Sequence, residues 1–264
     1  MANDKSKKSF LDTSIFMEIF KLKITDSQKY FSRLSSSGGT MAAFYTIIEL
    51  NKYFLIVAIK LYSKVMELKD PSAANMVLSN DFGRKPTYYV IMNALILRNA
   101  TSVYPCDYKS YAAQLEVIIV DLQDRIYSMV KQFNGTFAKH PIVLSRVYSR
   151  NDFEEHARIV KESEINYGEA WKIHRTQLLS ANEYFKKLPK KTKNQQEIHD
   201  LVAQLLLDKQ PKPSTHVGDL IISLDSPSNA TVIAHDKIFN TICPALSKDH
   251  IYIGSLLSIY STPT

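Results

Sequence analysis

Residues 230–236 read ATVIAHD, a short run of Ala, Val and Ile that suits a buried strand, with the carboxylate of Asp236 directly at its end. The segment from Asp236 to Ala245 reads as helix, and His250 to Gly254 reads as a further strand. The opposite end of the chain repeats the arrangement. Ser9 to Phe16 is an apolar run broken by Asp12-Thr13-Ser14, too short for a helix that stands alone, so it reads as a buried strand carrying an acid. Strand and helix alternate at both ends with helices between, which predicts an α/β fold on a parallel sheet. In such sheets ligands bind outside the carboxyl ends of the strands, where Asp12 and Asp236 are both expected. A charged carboxylate in a buried strand needs a cation or hydrogen-bond donors, because an uncompensated one is costly.

Between these ends the pattern is helical. Gly38-Gly39-Thr40 opens a predicted helix running to about Leu68, with Thr40 as N-cap, Glu49 within it and Pro71 beyond its end. Pro86 begins a helix toward Arg98, and Ser102 to Pro105 reads as another short strand. Leu115, Ile118, Leu122, Ile126, Met129 and Phe133 recur at three- and four-residue steps and predict one helix over Tyr111 to Phe133. Gly135 and Pro141 break the pattern across 134–150. From Phe153 to Leu188, through Trp171, Leu178 and Phe185, four- and three-residue spacings alternate as in a heptad seam with two polar members, Glu164 and His174. An antiparallel partner helix within the chain is the favoured reading over an intermolecular pair. The lysines at 186, 187, 190, 191 and 193 read as a solvated loop, with a phosphate-binding patch as the alternative. Gln196 to Lys209 forms a last amphipathic helix, closed by Pro211 and Pro213.

An apolar content of 45% against 22% charged residues places the 264-residue chain among ordinary globular proteins rather than disordered ones. Cys106 and Cys243 are too few for a disulfide framework or a cysteine zinc site, which favours a reducing, cytoplasmic setting. MANDKSKKSF at the N-terminus lacks the apolar core of an export signal. The most apolar stretch, Tyr53 to Leu61, is about half the ~20 residues a membrane span requires, so no membrane partner is expected. A net charge of +7 is compatible with a polyanionic partner without requiring one.

Four acidic segments stand in order, FLDTSIF at 10–16, TIIEL at 46–50, GDLIISL at 218–224 and VIAHDKIF at 232–239. Together and in this order they resemble the four acidic motifs of PIN domains, and the last adds an aromatic residue three positions after its acid. The resemblance implies a three-layer α/β domain with a central, mostly parallel sheet. Its four carboxylates, Asp12, Glu49, Asp219 and Asp236, would hold one or two Mg²⁺ or Mn²⁺ ions for phosphodiester hydrolysis. Hard divalent cations take oxygen ligands, and a metal-bound water can attack phosphorus, so no covalent nucleophile is needed. By this matching Asp12 and Asp236 are direct ligands, while Glu49 and Asp219 act directly or through water. Thr13 and Ser14 either orient Asp12 or cap the strand end.

The resemblance covers mainly 8–133 and 196–255 of a single domain spanning 1–264, leaving 134–195 as a helical insertion that gates the site or selects the substrate. Two departures accompany it. About 170 residues separate Glu49 from Asp219, where a small PIN domain has a short helical stretch, and Ala234 stands where the family often carries a hydroxyl residue. The small toxin-type members cut RNA, so an RNA endonuclease is the leading expectation. A catalytically silent scaffold binding RNA or a protein, and a helical interaction protein working through the seam, are the alternatives. An inhibitory protein partner and a homodimer stay open.

Among other candidates, Asp107 reads as a helix N-cap rather than a fifth carboxylate, and Asp225, ahead of Pro227, as a turn residue. His235 is expected to point away from Asp236, and the histidines show no metal-ligand spacing. Glycine motifs that cradle phosphates are absent from the sequence. Tyr88, Tyr89, Tyr104, Tyr108 and Tyr111 read as packing residues, with base stacking as the alternative.

Overall fold

Strands β1 (Lys8–Leu11), β2 (Thr40–Ala43), β3 (Gln132–Asn134), β4 (Ala230–Ala234) and β5 (Asp249–Tyr252) pair in the order β3-β2-β1-β4-β5, all parallel. This is a computed structural model, and it describes residues 7–21, 24–34, 39–82, 107–163, 167–209 and 216–253. Side chains alternate across a strand, so each strand feeds both faces. Leu11, Ala42 and Ile233 enter one apolar cluster, and Phe10, Met41 and Val232 enter the other. Helices cover both faces, giving the three-layer α/β architecture expected from the sequence.

The first face is covered by α1 (Thr13–Lys21), α2 (Ile24–Leu34), α4 (Ile56–Leu68), α5 (Pro71–Phe82) and α6 (Tyr108–Met129). The second is covered by α7 (Pro141–Leu144), α9 (Tyr167–Ile173), α10 (Arg175–Lys186), α11 (Lys193–Leu206), α12 (Val217–Asp225) and α13 (Phe239–Ala245). Between the clusters, α3 (Phe44–Leu50) gives Ile47 and Leu50 to one and Tyr45 and Ile48 to the other. The segment read as an insertion, 134–195, supplies Phe137, Ile142, Trp171, Leu178 and Phe185 to the same cluster as Phe10 and Val232.

Strand order fixes where a ligand can bind. From β1 the chain steps outward to β2 and β3, then returns to lay β4 on the other side of β1 and β5 beyond it. The direction of winding therefore reverses between β1 and β4, and the crevice outside their carboxyl ends is the topological switch point.

Several predicted elements differ in kind. The first strand ends at Leu11, and Ile15 and Phe16 are buried from α1 instead, because Asp12 caps that helix. Thr40 opens a strand, not a helix, and Gly38 lies outside the described residues. Gly39 has φ +89°, a backbone conformation that favours glycine, and all four β2 residues are buried between β1 and β3. The helix follows as α3, a π-helical turn over Asn51–Leu55, and α4. At that turn the buried Asn51 receives the Gln123 amide at 3.0 Å and donates to the Ile142 carbonyl at 3.3 Å, so its polar group is satisfied. The helix expected to reach Phe133 stops at Met129, and Phe133 lies in β3.

The heptad seam is split among α8 (Phe153–Glu162), α9 and α10 rather than carried by one helix. The antiparallel partner is present, however, and it is α11. Arg175 reaches the Leu206 carbonyl at one end while Asn182 bonds His199 nearer the other. Thr192 and Gln195 form a capping box, which starts α11 at Lys193 rather than Gln196. The intervening lysines form a solvated turn, with Lys186 and Lys193 paired to Glu183 and Glu197. Asp107 is the N-cap of α6, accepting from the Lys109 and Ser110 amides. The expected helix from Asp236 starts only at Phe239, and the last strand is Asp249–Tyr252. The predicted elements at 86–98 and 102–105, with Glu164, Cys106, Tyr88, Tyr89 and Tyr104, lie outside the described residues. Among the described residues, no helix is long and apolar enough to cross a membrane.

Candidate functional site

Asp12 is the residue that joins β1 to α1. Its backbone N–H donates to the Ile233 carbonyl at 3.1 Å, extending the β1–β4 pairing to the edge of the switch-point crevice. Its Oδ2 accepts the Ser14 amide at 3.0 Å, a capping bond at the start of α1, and also the Ser14 hydroxyl. The Ser14 hydroxyl accepts in turn from the His235 N–H at 3.0 Å, so one serine ties the ends of β1 and β4 together. Thr13 has a different partner, donating to Glu49 Oε2 at 2.5 Å. Of the two hydroxyls expected to orient Asp12, Ser14 does so and Thr13 serves Glu49.

Glu49 reaches the crevice from α3, and Asp219 comes from the first turn of α12. Gly218 lets these two elements approach. A Cβ there would lie 2.6 Å from Glu49 Oε1 and 2.8 Å from the Tyr45 ring. Asp236 is exposed two residues past β4, and its Oδ1 accepts the Ile238 N–H at 2.9 Å.

The electrostatics link the acids. Asp12 is 3% exposed, and burial first and the Asp219 charge second push its carboxyl from 3.8 to about 7, against the opposing bonds from Ser14. Burial and the Asp236 charge raise Asp219 as well, while its bond to His216 acts in the other direction. His216 lies between α11 and α12, with Nδ1 3.4 Å from Asp219 and Nε2 3.5 Å from Glu197. Its pKa is raised by the bond to Asp219, with the charges of Glu197 and Asp236 adding to it. None of Asp12, Asp219 and Asp236 is paired with Lys or Arg among the described residues.

Asp12, Asp219 and Asp236 thus feel one another's charge in sequence, and Glu49 adjoins Gly218. As the side chains stand, no group of three or more His, Cys, Asp or Glu among the described residues is arranged to hold a metal ion. The donors suit a hard cation in kind, being carboxylate oxygens, and the burial and the Asp219 charge that raise the Asp12 carboxyl are what a cation would offset. No family model, curated protein or solved structure matches the chain.

His216 is the neighbour of these acids that sequence reading did not single out. It stands three residues before Asp219, a spacing that fits many helix starts and carries no signal by itself. His235 does point away from the acids, as expected. Its Nδ1 donates to the Ile253 carbonyl, which leaves Nε2 to accept from the Tyr30 hydroxyl at 2.7 Å. Asp225 is not a turn residue. It ends α12, is 3% exposed, and bonds His174 Nε2 at 2.8 Å, which gives one of the two polar members of the heptad seam its partner.

Proposed function

We propose that the chain is a divalent-cation-dependent endonuclease whose site is the switch-point crevice, with Asp12, Glu49, Asp219 and Asp236 holding Mg²⁺ or Mn²⁺. The observation that carries this reading is the position and state of Asp12. It is a buried carboxylate between the carboxyl ends of β1 and β4, exposed to the Asp219 charge and without a lysine or arginine partner among the described residues. RNA is the proposed substrate, on the resemblance of the four acidic segments to toxin-type PIN domains. The net charge of +7 supports a polyanion.

Within this reading Asp12 and Asp236 are the direct ligands, and Ser14 fixes the Asp12 carboxylate by two hydrogen bonds. Thr13 holds Glu49 toward the crevice. The bond to Asp219 holds the His216 imidazole above the usual histidine range, and in its protonated form it would offset the Asp219 charge. The cation, when bound, would supply an activated water and stabilise charge on the phosphate oxygens.

Incubation of a labelled oligoribonucleotide with wild-type, Asp12→Asn and Asp236→Asn proteins in Mn²⁺ tests the reading, alongside Mn²⁺ titration calorimetry. Cleavage by the wild type and its loss in both variants are expected. Wild type that neither binds Mn²⁺ nor cleaves would overturn the proposal. Mn²⁺ binding without cleavage would leave a catalytically silent PIN-like scaffold.

A further inference from the structure

A second pocket lies at the other end of α12 from Asp219, away from the four acids. It is an open cavity of about 780 Å³, within the size range of small-molecule sites. Its walls come from the loop after β3, the α9–α10 junction, the end of α12 and the residue before β5. Its floor is rigidly made. The Asp225 side chain is fully buried, with Oδ1 on His174 Nε2 at 2.8 Å and Oδ2 accepting the Thr136 N–H at 3.4 Å. Gly135, at φ +120°, brings the backbone so near that a Cβ would sit 2.1 Å from Asp225 Oδ2.

The charge on this pocket is unbalanced. Lys139 and Lys248 both line it, and neither ammonium is within ion-pair distance of a carboxylate among the described residues. Lys248 donates to the Ser226 carbonyl, and both oxygens of Asp225, the acid in the lining, are turned to His174 and Thr136. The Thr136 hydroxyl is buried with no hydrogen-bond partner among the described residues, and a buried polar group of this kind calls for one. Ile173, Leu224 and Pro227 add apolar wall. The complement of two lysines without a carboxylate in ion-pair distance, an orphan hydroxyl and an apolar flank is an anionic group attached to a weakly polar body.

We propose that this cavity binds the phosphate of a nucleotide, with Lys139 and Lys248 on the phosphate and the base against Ile173 and Pro227. Lysine serves here as a point charge for phosphate, and burial, which pushes the Lys248 ammonium below the usual lysine range, is a cost that a bound anion would offset. The ligand comes either from a free mononucleotide or from one unit of a single strand, and both present the same group. The site does not depend on the acids at the switch point.

Binding is measured with the full-length Asp12→Asn protein in EDTA, so that cleavage plays no part and failure of the nuclease reading leaves the test intact. The probes are uridine and adenosine monophosphates and a six-nucleotide single-stranded RNA, titrated by calorimetry, with inorganic phosphate as competitor. Lys139→Glu on this background is expected to weaken binding by at least tenfold, the loss of one charge-assisted contact. Lys139 is exposed, so this variant is expected to fold, and Lys248→Gln gives a second reading. Mononucleotide binding that phosphate displaces establishes a free-nucleotide site, and oligonucleotide binding alone establishes a strand subsite. Absence of binding by every probe, or affinity unchanged in both lysine variants, overturns the proposal.

Discussion

Asp12 meets two demands that pull apart. Its Oδ2 caps α1 through Ser14, which any short acceptor could do, whereas its negative charge is unfavourable where it is buried and facing Asp219. In the folded chain it keeps its proton to about pH 7, and an unfolded aspartate loses it near 3.8. The folded state therefore binds more protons between those values, so stability falls as pH rises across that window and stays lower above it. A shift of this size corresponds to on the order of 4 kcal/mol. Asparagine keeps an acceptor for Ser14 and cannot ionise. Asp12→Asn is expected to be more stable than the wild type in chelator at pH 8 and nearly equal to it at pH 4, as read by urea unfolding. Mn²⁺ should raise the melting temperature of the wild type but not of the variant. Equal stability of the two proteins at pH 8 would show that the Asp12 charge costs nothing.

At the scale of elements, α12 carries Asp219 at one end and Asp225 at the other, and a glycine lies against each: Gly218 against Glu49, Gly135 against Asp225. Gly218→Ala adds a methyl group that displaces Glu49, a flexible side chain, and presses on the Tyr45 ring. Overpacking costs about 1–3 kcal/mol, and the better helix propensity of alanine returns about 1. A net loss of stability of up to about 2 kcal/mol is therefore expected, together with at least a tenfold fall in Mn²⁺ affinity, and calorimetry that finds affinity undiminished would remove Glu49 from the site. The strand–acid pairing at Ala230–Asp236 was legible because a run of Ala, Val and Ile needs no partner to read as a strand. The β1–α1 and β2–α3 junctions were not. Four-residue strands run directly into helices there, and Ile15 and Phe16 are as apolar in the helix as they would be in a longer strand. Nor was the His174–Asp225 bond, which joins residues 51 apart in sequence.

For the whole molecule, the sequence divides the chain into a core and a helical segment at 134–195, while packing places Trp171, Leu178 and Phe185 of that segment in one cluster with Phe10 of β1 and Val232 of β4. An element that shares a core with the central strands cannot melt without exposing them, so the chain should unfold as one cooperative unit. Trp171, the single tryptophan, sits inside the segment, and its fluorescence reports on it alone, whereas far-ultraviolet circular dichroism reports on all the helices. The two signals are expected to change at the same urea concentration. Phe185 is fully buried, with its ring against His199 of α11, and its truncation removes a large side chain from close packing. Phe185→Ala should cost about 3–5 kcal/mol and move both midpoints together. A tryptophan transition at lower urea than the helical one, widened further by Phe185→Ala, would instead mean that the segment is a separate folding unit. In that case its shared packing with β1 and β4 would contribute little to holding the sheet.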